Sequence, residues 1–198
     1  MDAINVSKKD PLARRKELLG QGKGSLSQAL IKVVKENVGD LLRNQNGCDI
    51  VLELARGGGE DAVLCTSCGC DEDVGALHRA ISAEAAEPLA AAAKAEGAGD
   101  SKDHILQDYF GSRTIRRLIV YGSDDSKPCS KVASDFSTSL WNDAVNQVVD
   151  KLYGTHAEKV LAAMASSAPA SVQKECASAL KKLLGNGDLK AWVAKFEH

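Results

Sequence analysis

The sequence predicts an all-helical protein, an α-solenoid in which small helical units stack on one another. Two observations favour helices: apolar residues recur every three or four positions, and no segment shows the two-residue alternation of a strand. A third observation is an internal repeat of helical segments. Aromatic residues make up only 4% of the 198 residues, so the apolar contacts must come from aliphatic and small side chains, which suits stacked helices.

Composition and charge limit the class of protein. Hydrophobic residues at 44% and charged residues at 26% predict a packed core. The formal net charge is only -2, so any contact with nucleic acid must come from local basic patches. The sequence contains neither a signal-peptide pattern nor a run of about 18 apolar residues, and its six cysteines are unevenly spaced. We therefore expect a soluble, intracellular protein of a reducing compartment, with no membrane partner.

The first two helices have recognisable starts. Residues 1–10 are predicted to be disordered, and the helical repeat domain is predicted to span 11–198. Asp10 is expected to cap a helix that has Pro11 at its first position and ends in the glycines at 20, 22 and 24. Ser25 is expected to cap a second, amphipathic helix. Its predicted apolar residues are Leu26, Leu30, Val33 and Val34.

Breaking residues divide the rest of the chain. Between Val38 and Arg56 the pattern predicts two helices that meet near Asn46-Gly47. An irregular insertion is expected at 57–73, helical propensity returns over 74–93 until Pro88 interrupts it, and a linker is expected at 94–102. Further helical stretches are predicted at 104–121, 132–142, 143–153, 157–166 and 171–184, followed by a short helix that Asp188 caps and that carries Trp192 and Phe196.

Three helical segments can be written over one another: 47–54, 111–118 and 157–164. Each begins with a small residue, and each has aliphatic residues at its fifth and eighth positions, which keeps one helical face apolar. Leu41 and Leu42 stand as far before Gly47 as Ile105 and Leu106 stand before Gly111. About three stacked units are enough for a stable array. The alternative is that unrelated amphipathic helices match this loosely.

The segment Ser7-Lys-Lys-Asp-Pro-Leu-Ala-Arg-Arg-Lys-Glu-Leu-Leu19 resembles the SKKDPxxRRxELL segment of the nucleolar pumilio-like proteins, which precedes their C-terminal CPL domain. The stretches 46–54, 104–118 and 141–164 resemble successive degenerate pumilio repeats of that domain. The resemblance implies a right-handed α-solenoid of pumilio-type repeats that binds RNA, or other nucleic acid, with little reading of its sequence. It also implies a place in the nucleus and nucleolus, with pre-rRNA and ribosome assembly proteins as partners in pre-rRNA processing and large-subunit assembly.

In sequence-reading pumilio proteins, two or three side chains of one helix in each repeat meet a base. Among the corresponding positions here, only Ser112, Arg113 and Arg116 carry groups suited to hydrogen bonding and stacking. The other two sets are Cys48, Asp49 and Leu52, and Glu158, Lys159 and Ala162. They look unable to read bases, because Leu52 and Ala162 have no group that reads a base edge and the carboxylates of Asp49 and Glu158 repel phosphate.

Two basic clusters are candidate RNA-binding sites. Arg113, Arg116 and Arg117 are three and four residues apart and so share a helical face, which favours contact with nucleic acid. The alternative is a solvated face that pairs with Asp103 or Asp108. The second cluster comprises Lys8, Lys9, Arg14, Arg15 and Lys16, of which the first four are the candidate RNA-binding residues. It could hold phosphate or form the solvent face of a capping helix.

Cys65, Cys68 and Cys70 resemble half of a zinc site, for which His78 or His104 would be a conceivable fourth ligand. Because the second cysteine pair of such a site is missing, we expect reduced thiols and no metal. Cys48 and Cys176 are expected to be buried. No nucleophile stands in a motif with a base, so we expect no enzyme, no cofactor and no small-molecule substrate. The alternative function is a protein-interaction scaffold in pre-ribosomal particles, without direct RNA contact.

Overall fold

The protein is described by a computed structural model over residues 10–19, 25–58, 64, 71–89, 103–127 and 129–196. This part of the chain is all-helical and contains no strand, so the predicted all-α class is confirmed. The α-helices are α1 (Pro11–Leu19), α2 (Leu26–Glu36), α3 (Val38–Leu42), α4 (Gln45–Ala55), α5 (Asp71–Ala85), α6 (Tyr109–Gly122), α7 (Ser130–Leu140), α8 (Val149–Leu152), α9 (Glu158–Ser167), α10 (Ala170–Leu184) and α11 (Leu189–Ala194).

The helices form two rows with the core between them. In one row α4, α6 and α9 pack side by side in chain order, and in the other α2, α5 and α7 do the same. The rows meet where α4 contacts α5 and where α6 contacts α7, while α10 and α11 pack on α9. Stacked helical units bury their apolar faces in this way. That the units are pumilio repeats in a right-handed solenoid stays a prediction.

The three segments of the internal repeat are the helices of one row, α4, α6 and α9. Their fifth-position residues Val51, Ile115 and Leu161 are all completely buried. The eighth-position residues Leu54, Leu118 and Met164 are buried as well. The apolar face that the repeat predicts is therefore confirmed in all three helices.

The start of α4 corrects one predicted boundary. The break expected near Asn46-Gly47 lies instead at Arg43-Asn44, because the Asn44 side chain caps α4 and accepts hydrogen bonds from the backbone N–H groups of Asn46 and Gly47, both at 2.9 Å. Gly47 thus lies within the first turn of the helix. A Cβ atom there would stand 2.5 Å from the Leu41 carbonyl oxygen, so this glycine permits a close approach of backbone and does not break the helix.

The start of α6 repeats this construction. Asp108 caps α6 and accepts a 2.7 Å hydrogen bond from the Gly111 backbone N–H. A Cβ atom on Gly111 would stand 2.6 Å from the Ile105 carbonyl oxygen. The capping residue, the glycine and the contacted carbonyl have the same spacing along the chain as in α4. The starts of α4 and α6 are therefore built in the same way. The third unit differs, because Ala157, the N-cap residue of α9, makes no side-chain cap hydrogen bond.

The apolar face predicted for α2 is largely wrong. Leu26, Leu30 and Val33 are exposed at 53%, 39% and 57%, whereas Ile31 and Val34 are buried. The helix has apolar residues on more than one face, and helical spacing alone cannot decide which face meets the core. Here α2 turns Ile31 and Val34 toward the core, with α5 as its main neighbour. The result is an exposed apolar stripe of Leu26, Leu30 and Val33.

The two helices predicted at 132–142 and 143–153 are joined without a break. After α7 the chain forms a π-helical turn at Trp141–Val145 and a 3₁₀ turn at Asn146–Val148 before α8. Trp141 is 1% exposed, and its indole N–H donates a 2.8 Å hydrogen bond to Glu175 of α10. Anchoring this large ring fixes the bulged turn, and its core role was predicted correctly.

Three predicted helix starts depend on local caps and are confirmed, whereas α5 spans Asp71–Ala85 in place of the predicted 74–93 and α6 begins at Tyr109 and not at residue 104. Asp10 accepts a hydrogen bond from Ala13 N–H, Ser25 from Gln28 N–H, and Asp188 from Lys190 N–H. Trp192 is buried and its ring lies 5.1 Å from that of Phe196, which confirms end packing. Of the segment 1–10 that was predicted to be disordered, only Asp10 is described, and it caps α1; residues 1–9, the linker at 94–102 and most of the insertion at 57–73 lie outside the described residues. The end of that insertion was predicted wrongly, because α5 already begins at Asp71.

A buried histidine ties the two rows together. His78 of α5 places Nε2 2.8 Å from the carbonyl oxygen of Ala55 and Nδ1 3.2 Å from that of Val132, and its ring packs 5.1 Å from Phe136. Burial lowers the pKa of His78, and the nearby Arg79 adds to this, against the opposing effect of the two carbonyls and Asp135. The folded protein therefore favours the neutral imidazole.

We expect the stability of the fold to decrease on acidification because of His78. The pKa of this histidine is lowered from 6.5 in the folded chain, so below that pH the unfolded chain takes up a proton that the folded chain does not. The stability contribution is complete above about pH 6.5 and declines toward the lower folded pKa, by up to about 1.4 kcal/mol per pH unit. Urea unfolding at several pH values should show a shallower pH dependence in His78→Gln. Parallel curves for both proteins would contradict the assignment.

Candidate nucleic-acid interface

Helix α6 presents a mixed basic and aromatic surface at the centre of its row. Arg113 and Arg117 are exposed, Arg116 is half-buried, and Tyr109 and Val120 are exposed at 51% and 43%. These five residues recur at helical spacing and are here called the α6 face. The sequence-based prediction that the three arginines share one side of a helix agrees with their placement.

Ser112 does not belong to this surface. The side chain is 2% exposed, and its hydroxyl donates to the carbonyl oxygen of Tyr109 at 3.3 Å. A buried hydroxyl that bonds to its own helix is not available to a base edge. The sequence-based assignment of Ser112 to the RNA-binding set therefore has no support from the geometry, and we leave this residue out of the interface.

Arg117 pairs across the row with α4. Its guanidinium donates to Asp49 Oδ1 at 3.2 Å, and the two side chains are 44% and 72% exposed. Ion pairs this exposed are weak, because water screens both charges. The partner is neither Asp103 nor Asp108, the two acids considered from sequence: the carboxylate of Asp108 caps α6, and Asp103 offers its backbone oxygen to Arg43.

Arg116 connects the α6 face to the end of the described chain. Its guanidinium donates a hydrogen bond to the backbone carbonyl oxygen of Phe196. Arg116 and Phe196 also line a groove of about 270 Å³ beside α9, together with Val120, Ser166 and Ser167. This arginine thus has a structural contact as well as a solvent-facing part.

A second groove follows the junction of α4 and α6. It has a volume of about 360 Å³ and is lined by Asp49, Tyr109, Phe110, Arg113 and Arg117, among others. It combines cationic side chains with an aromatic ring that is half exposed. Such a combination suits a nucleic-acid strand, whose phosphates attract arginine and whose bases stack on aromatic rings.

A third groove, of about 570 Å³, lies at the C-terminal ends of α4 and α6. Its basic residues are Arg56, Arg116, Arg117 and Lys127, and Asp124 is the acidic residue in its lining. Arg117 lines this groove and the previous one, so the two adjoin at this side chain. This part of the surface was missed from sequence, because Arg56 and Lys127 lie outside both basic clusters.

Arg56 is held by an aromatic ring. Its guanidinium carbon lies 4.6 Å from the centre of the Tyr121 ring, a cation–π distance. The Tyr121 hydroxyl donates to the Arg56 carbonyl oxygen at 3.4 Å. Burial raises the pKa of Tyr121, and the charge of Arg56 partly offsets this. The signal in the sequence was slight: a basic residue directly after a helix and a tyrosine at the end of the next repeat helix.

The other repeat helices carry no comparable set. In α4 Cys48 and Leu52 are buried, and in α9 Ala162 is buried. Asp49 is acidic, and the ammonium group of Lys159 lies 5.9 Å from the Tyr109 ring centre. Among the positions that would meet bases, the basic groups thus concentrate in α6, as the residue types predicted.

The N-terminal basic cluster is only partly visible. Arg14 and Arg15 are exposed on α1, which packs on α2. Lys8 and Lys9 lie outside the described residues. α2 belongs to the other row, so the structure does not bring this cluster together with the α6 face. Its part in RNA binding stays a prediction.

The histidines proposed as zinc ligands have other partners. His78 contacts two backbone carbonyls, as described above, and His104 lies 2.8 Å from the Glu87 carbonyl oxygen. Cys65, Cys68 and Cys70 are outside the described residues. Within the described ranges no three metal-binding side chains come together. The prediction about these three cysteines therefore stays untested.

The remaining cysteines were predicted in part. Cys48 and Cys176 are free and buried as expected, and burial raises the pKa of the Cys176 thiol to about 12. Cys129 is disulfide-bonded, which the interpretation of reduced thiols did not foresee.

Among the helices that the structure describes, none is long and apolar enough to cross a membrane.

Comparisons with known proteins identify a domain family and a longer relative. The model of the CPL (NUC119) domain family matches residues 1–128, which include α1 to α6. Pumilio homolog 24 of Arabidopsis thaliana is 32% identical over 188 residues, which cover 95% of this chain and 26% of that protein. The chain thus spans about a quarter of the length of this curated relative. No solved structure matches it.

Proposed function

The chain belongs to the CPL (NUC119) domain family and is similar to a pumilio homologue, and from this premise we propose that it binds RNA with little sequence specificity. The observation that carries the proposal is the α6 face, where three arginines stand beside an exposed tyrosine. Arginine binds phosphate through paired N–H groups and also stacks on bases. The chain acts by binding and performs no catalysis.

The low specificity follows from the composition of the row. At the positions that would meet bases, α6 offers two basic side chains and α9 only Lys159, and the candidate edge-reading hydroxyl of α6, that of Ser112, is buried. A code of one base per repeat needs such groups in successive units. Phosphate contacts, by contrast, need only positive charge and are independent of sequence. Affinity should therefore depend strongly on salt and weakly on the base sequence.

We further propose that the whole protein works in the nucleolus, where it contributes to pre-rRNA processing and to assembly of the large ribosomal subunit. The support is the resemblance of Ser7–Leu19 and of the repeat segments to nucleolar pumilio-like proteins. A fluorescent fusion of the full-length protein should accumulate in nucleoli. Depletion should cause pre-rRNA precursors to accumulate; exclusion of the fusion from nucleoli would overturn this placement.

A second candidate function is that of a protein-interaction scaffold in pre-ribosomal particles, without RNA contact. The exposed apolar stripe of α2, formed by Leu26, Leu30 and Val33, favours it. Polar substitutions on this stripe should then remove assembly proteins that remain bound after nuclease treatment. If the same substitutions change nothing while the α6 variants release RNA, the scaffold function is excluded for this surface.

Asp49→Asn is expected to strengthen RNA binding. Asp49 repels phosphate and competes with it for Arg117, so removal of its charge should strengthen the contact that Arg117 makes with RNA. The gain should stay below the effect of one whole phosphate contact, which is about 0.7 in the logarithmic salt dependence for single strands, or about fivefold in affinity at roughly 0.1 M salt. Anisotropy titrations check this, with the exposed Asp143→Asn as a control of equal charge change. Equal affinities for the two variants would show that Asp49 does not compete with RNA.

A further inference from the structure

We propose that the groove at the C-terminal ends of α4 and α6 binds phosphate groups of the RNA backbone through Arg56 and Lys127, together with Arg116 and Arg117. This inference rests on the proposed function and extends it from the α6 face to a defined pocket. The pocket is called the phosphate groove below.

Charge is the first reason. Four basic side chains line the groove, and the acid among its lining residues is Asp124. The Asp124 carboxylate already accepts hydrogen bonds from the backbone N–H and the hydroxyl of Ser126. These bonds lower the pKa of Asp124 and hold the carboxylate on its own loop. The four cations that line the groove therefore outnumber its one acid, although Arg117 also pairs with Asp49 at 3.2 Å.

The state of Arg56 is the second reason. Its guanidinium carbon lies 4.6 Å from the centre of the Tyr121 ring, a contact that restricts the side chain, and its Nε–H group is buried without a hydrogen-bond partner in the described part of the chain. Buried donors normally have partners. A guanidinium that is oriented in advance loses little freedom when an anion binds. A phosphate in the groove that Arg56 lines could accept hydrogen bonds from the terminal N–H groups of this guanidinium.

Cations near helix C-termini also stabilise the helix dipole, without any ligand. That explanation would suffice for a single lysine or arginine at one helix end. Here the four side chains come from three segments: the end of α4, the body of α6 and the loop after α6. They converge on one groove of about 570 Å³, so the dipole alone does not account for the arrangement.

The position of the two adjoining grooves along α6 favours RNA over an acidic peptide. Arg117 lines both the phosphate groove and the groove that contains Tyr109 and Arg113. A strand that stacks a base near Tyr109 would carry its phosphates along α6 toward Lys127. Regularly spaced phosphates fit a row of cations along a helix, and the half-exposed aromatic ring beside them can stack a base, which an acidic peptide lacks.

The test measures binding of a labelled single-stranded uridine oligonucleotide to the chain as a function of salt. Lys127→Ala removes one charge, and Arg56→Lys keeps the charge but loses the planar guanidinium. Lys174→Ala, an exposed change on α10, is the matched control. We expect Lys127→Ala to weaken binding about fivefold at roughly 0.1 M salt and to reduce the salt dependence by about 0.7. Arg56→Lys should also bind more weakly, and the control should be unchanged.

The outcomes separate this inference from the proposed function. If Lys127→Ala and Arg56→Lys both bind like the wild type while the α6 arginine variants lose binding, the phosphate groove is overturned and the proposed function stands. If the wild type itself fails to bind at low salt, both fall. Polyglutamate that competes with RNA in the wild type but not in Lys127→Ala would assign the groove to acidic peptides and overturn the phosphate assignment. Thermal unfolding of each variant confirms that it is folded.

Discussion

Replacement of Arg113, Arg116 and Arg117 by alanine is expected to weaken binding of single-stranded RNA about 100-fold at roughly 0.1 M salt. Each phosphate contact contributes about 0.7 to the logarithmic salt dependence, which corresponds to about a factor of five in affinity at this salt concentration. The factors for the three contacts multiply. The salt dependence itself should fall by about 2. Anisotropy titrations at several salt concentrations measure both quantities.

The controls for this prediction address charge and folding. The triple variant Lys174→Ala, Lys181→Ala and Lys182→Ala removes the same charge from exposed positions of α10 and should bind nearly as the wild type does. Arg116 also bonds to the Phe196 carbonyl, so Arg113→Ala with Arg117→Ala tests the face without disturbing that contact, with an expected loss of about 25-fold. Equal losses in the α6 and α10 triple variants would mean that only net charge matters.

Gly111→Ala is expected to destabilise the fold by about 1–3 kcal/mol, the usual cost of overpacking a tight contact. The new Cβ would lie 2.5 Å from Ile105 Cδ1 and 2.6 Å from the Ile105 carbonyl oxygen. A side chain can rotate away, but the backbone oxygen cannot move without opening the start of α6. Gly47→Ala should behave alike, since its Cβ would meet the Leu41 carbonyl oxygen at 2.5 Å. Chemical unfolding gives the free-energy change.

Gly75→Ala is the matched control, because this glycine also lies in a helix but has only the Arg79 side chain nearby, at 3.7 Å. There the substitution should stabilise the protein by about 0.5–1 kcal/mol, through the lower backbone entropy of alanine in the unfolded chain. If Gly111→Ala were as harmless as Gly75→Ala, the close approach at the start of α6 would not be a structural requirement.

Local signals predicted much of the fold. Caps such as Asp10, Ser25 and Asp188 act within one helical turn, so the sequence contains all the information that they need. The face of α2 could not be predicted in this way. Leu26, Leu30 and Val33 are as apolar as the residues that became buried, and only packing against α5 decides between them. The buried face of α2 therefore depends on tertiary contacts, and the residue pattern of a single helix contains no information about them.

The candidate site was predictable to the same extent. Helical spacing alone puts Arg113, Arg116 and Arg117 on one side of α6. Repeat alignment assigned Ser112 to the surface, yet the angle at which α6 packs turns it inward. Arg56 and Lys127 contribute through contacts between segments that are far apart in sequence. Such a convergence is visible only when the helices are placed side by side.

The central claim is that RNA lies along the α6 face. Its most direct test is ultraviolet crosslinking of the purified chain to a single-stranded RNA, followed by mass-spectrometric mapping of the adducts. We expect nucleotides to be attached to Tyr109 or Phe110, which line the groove beside Arg113, and the adducts should disappear at high salt. Adducts confined to α2 or α10, with none in the peptide that opens α6, would contradict the proposed interface.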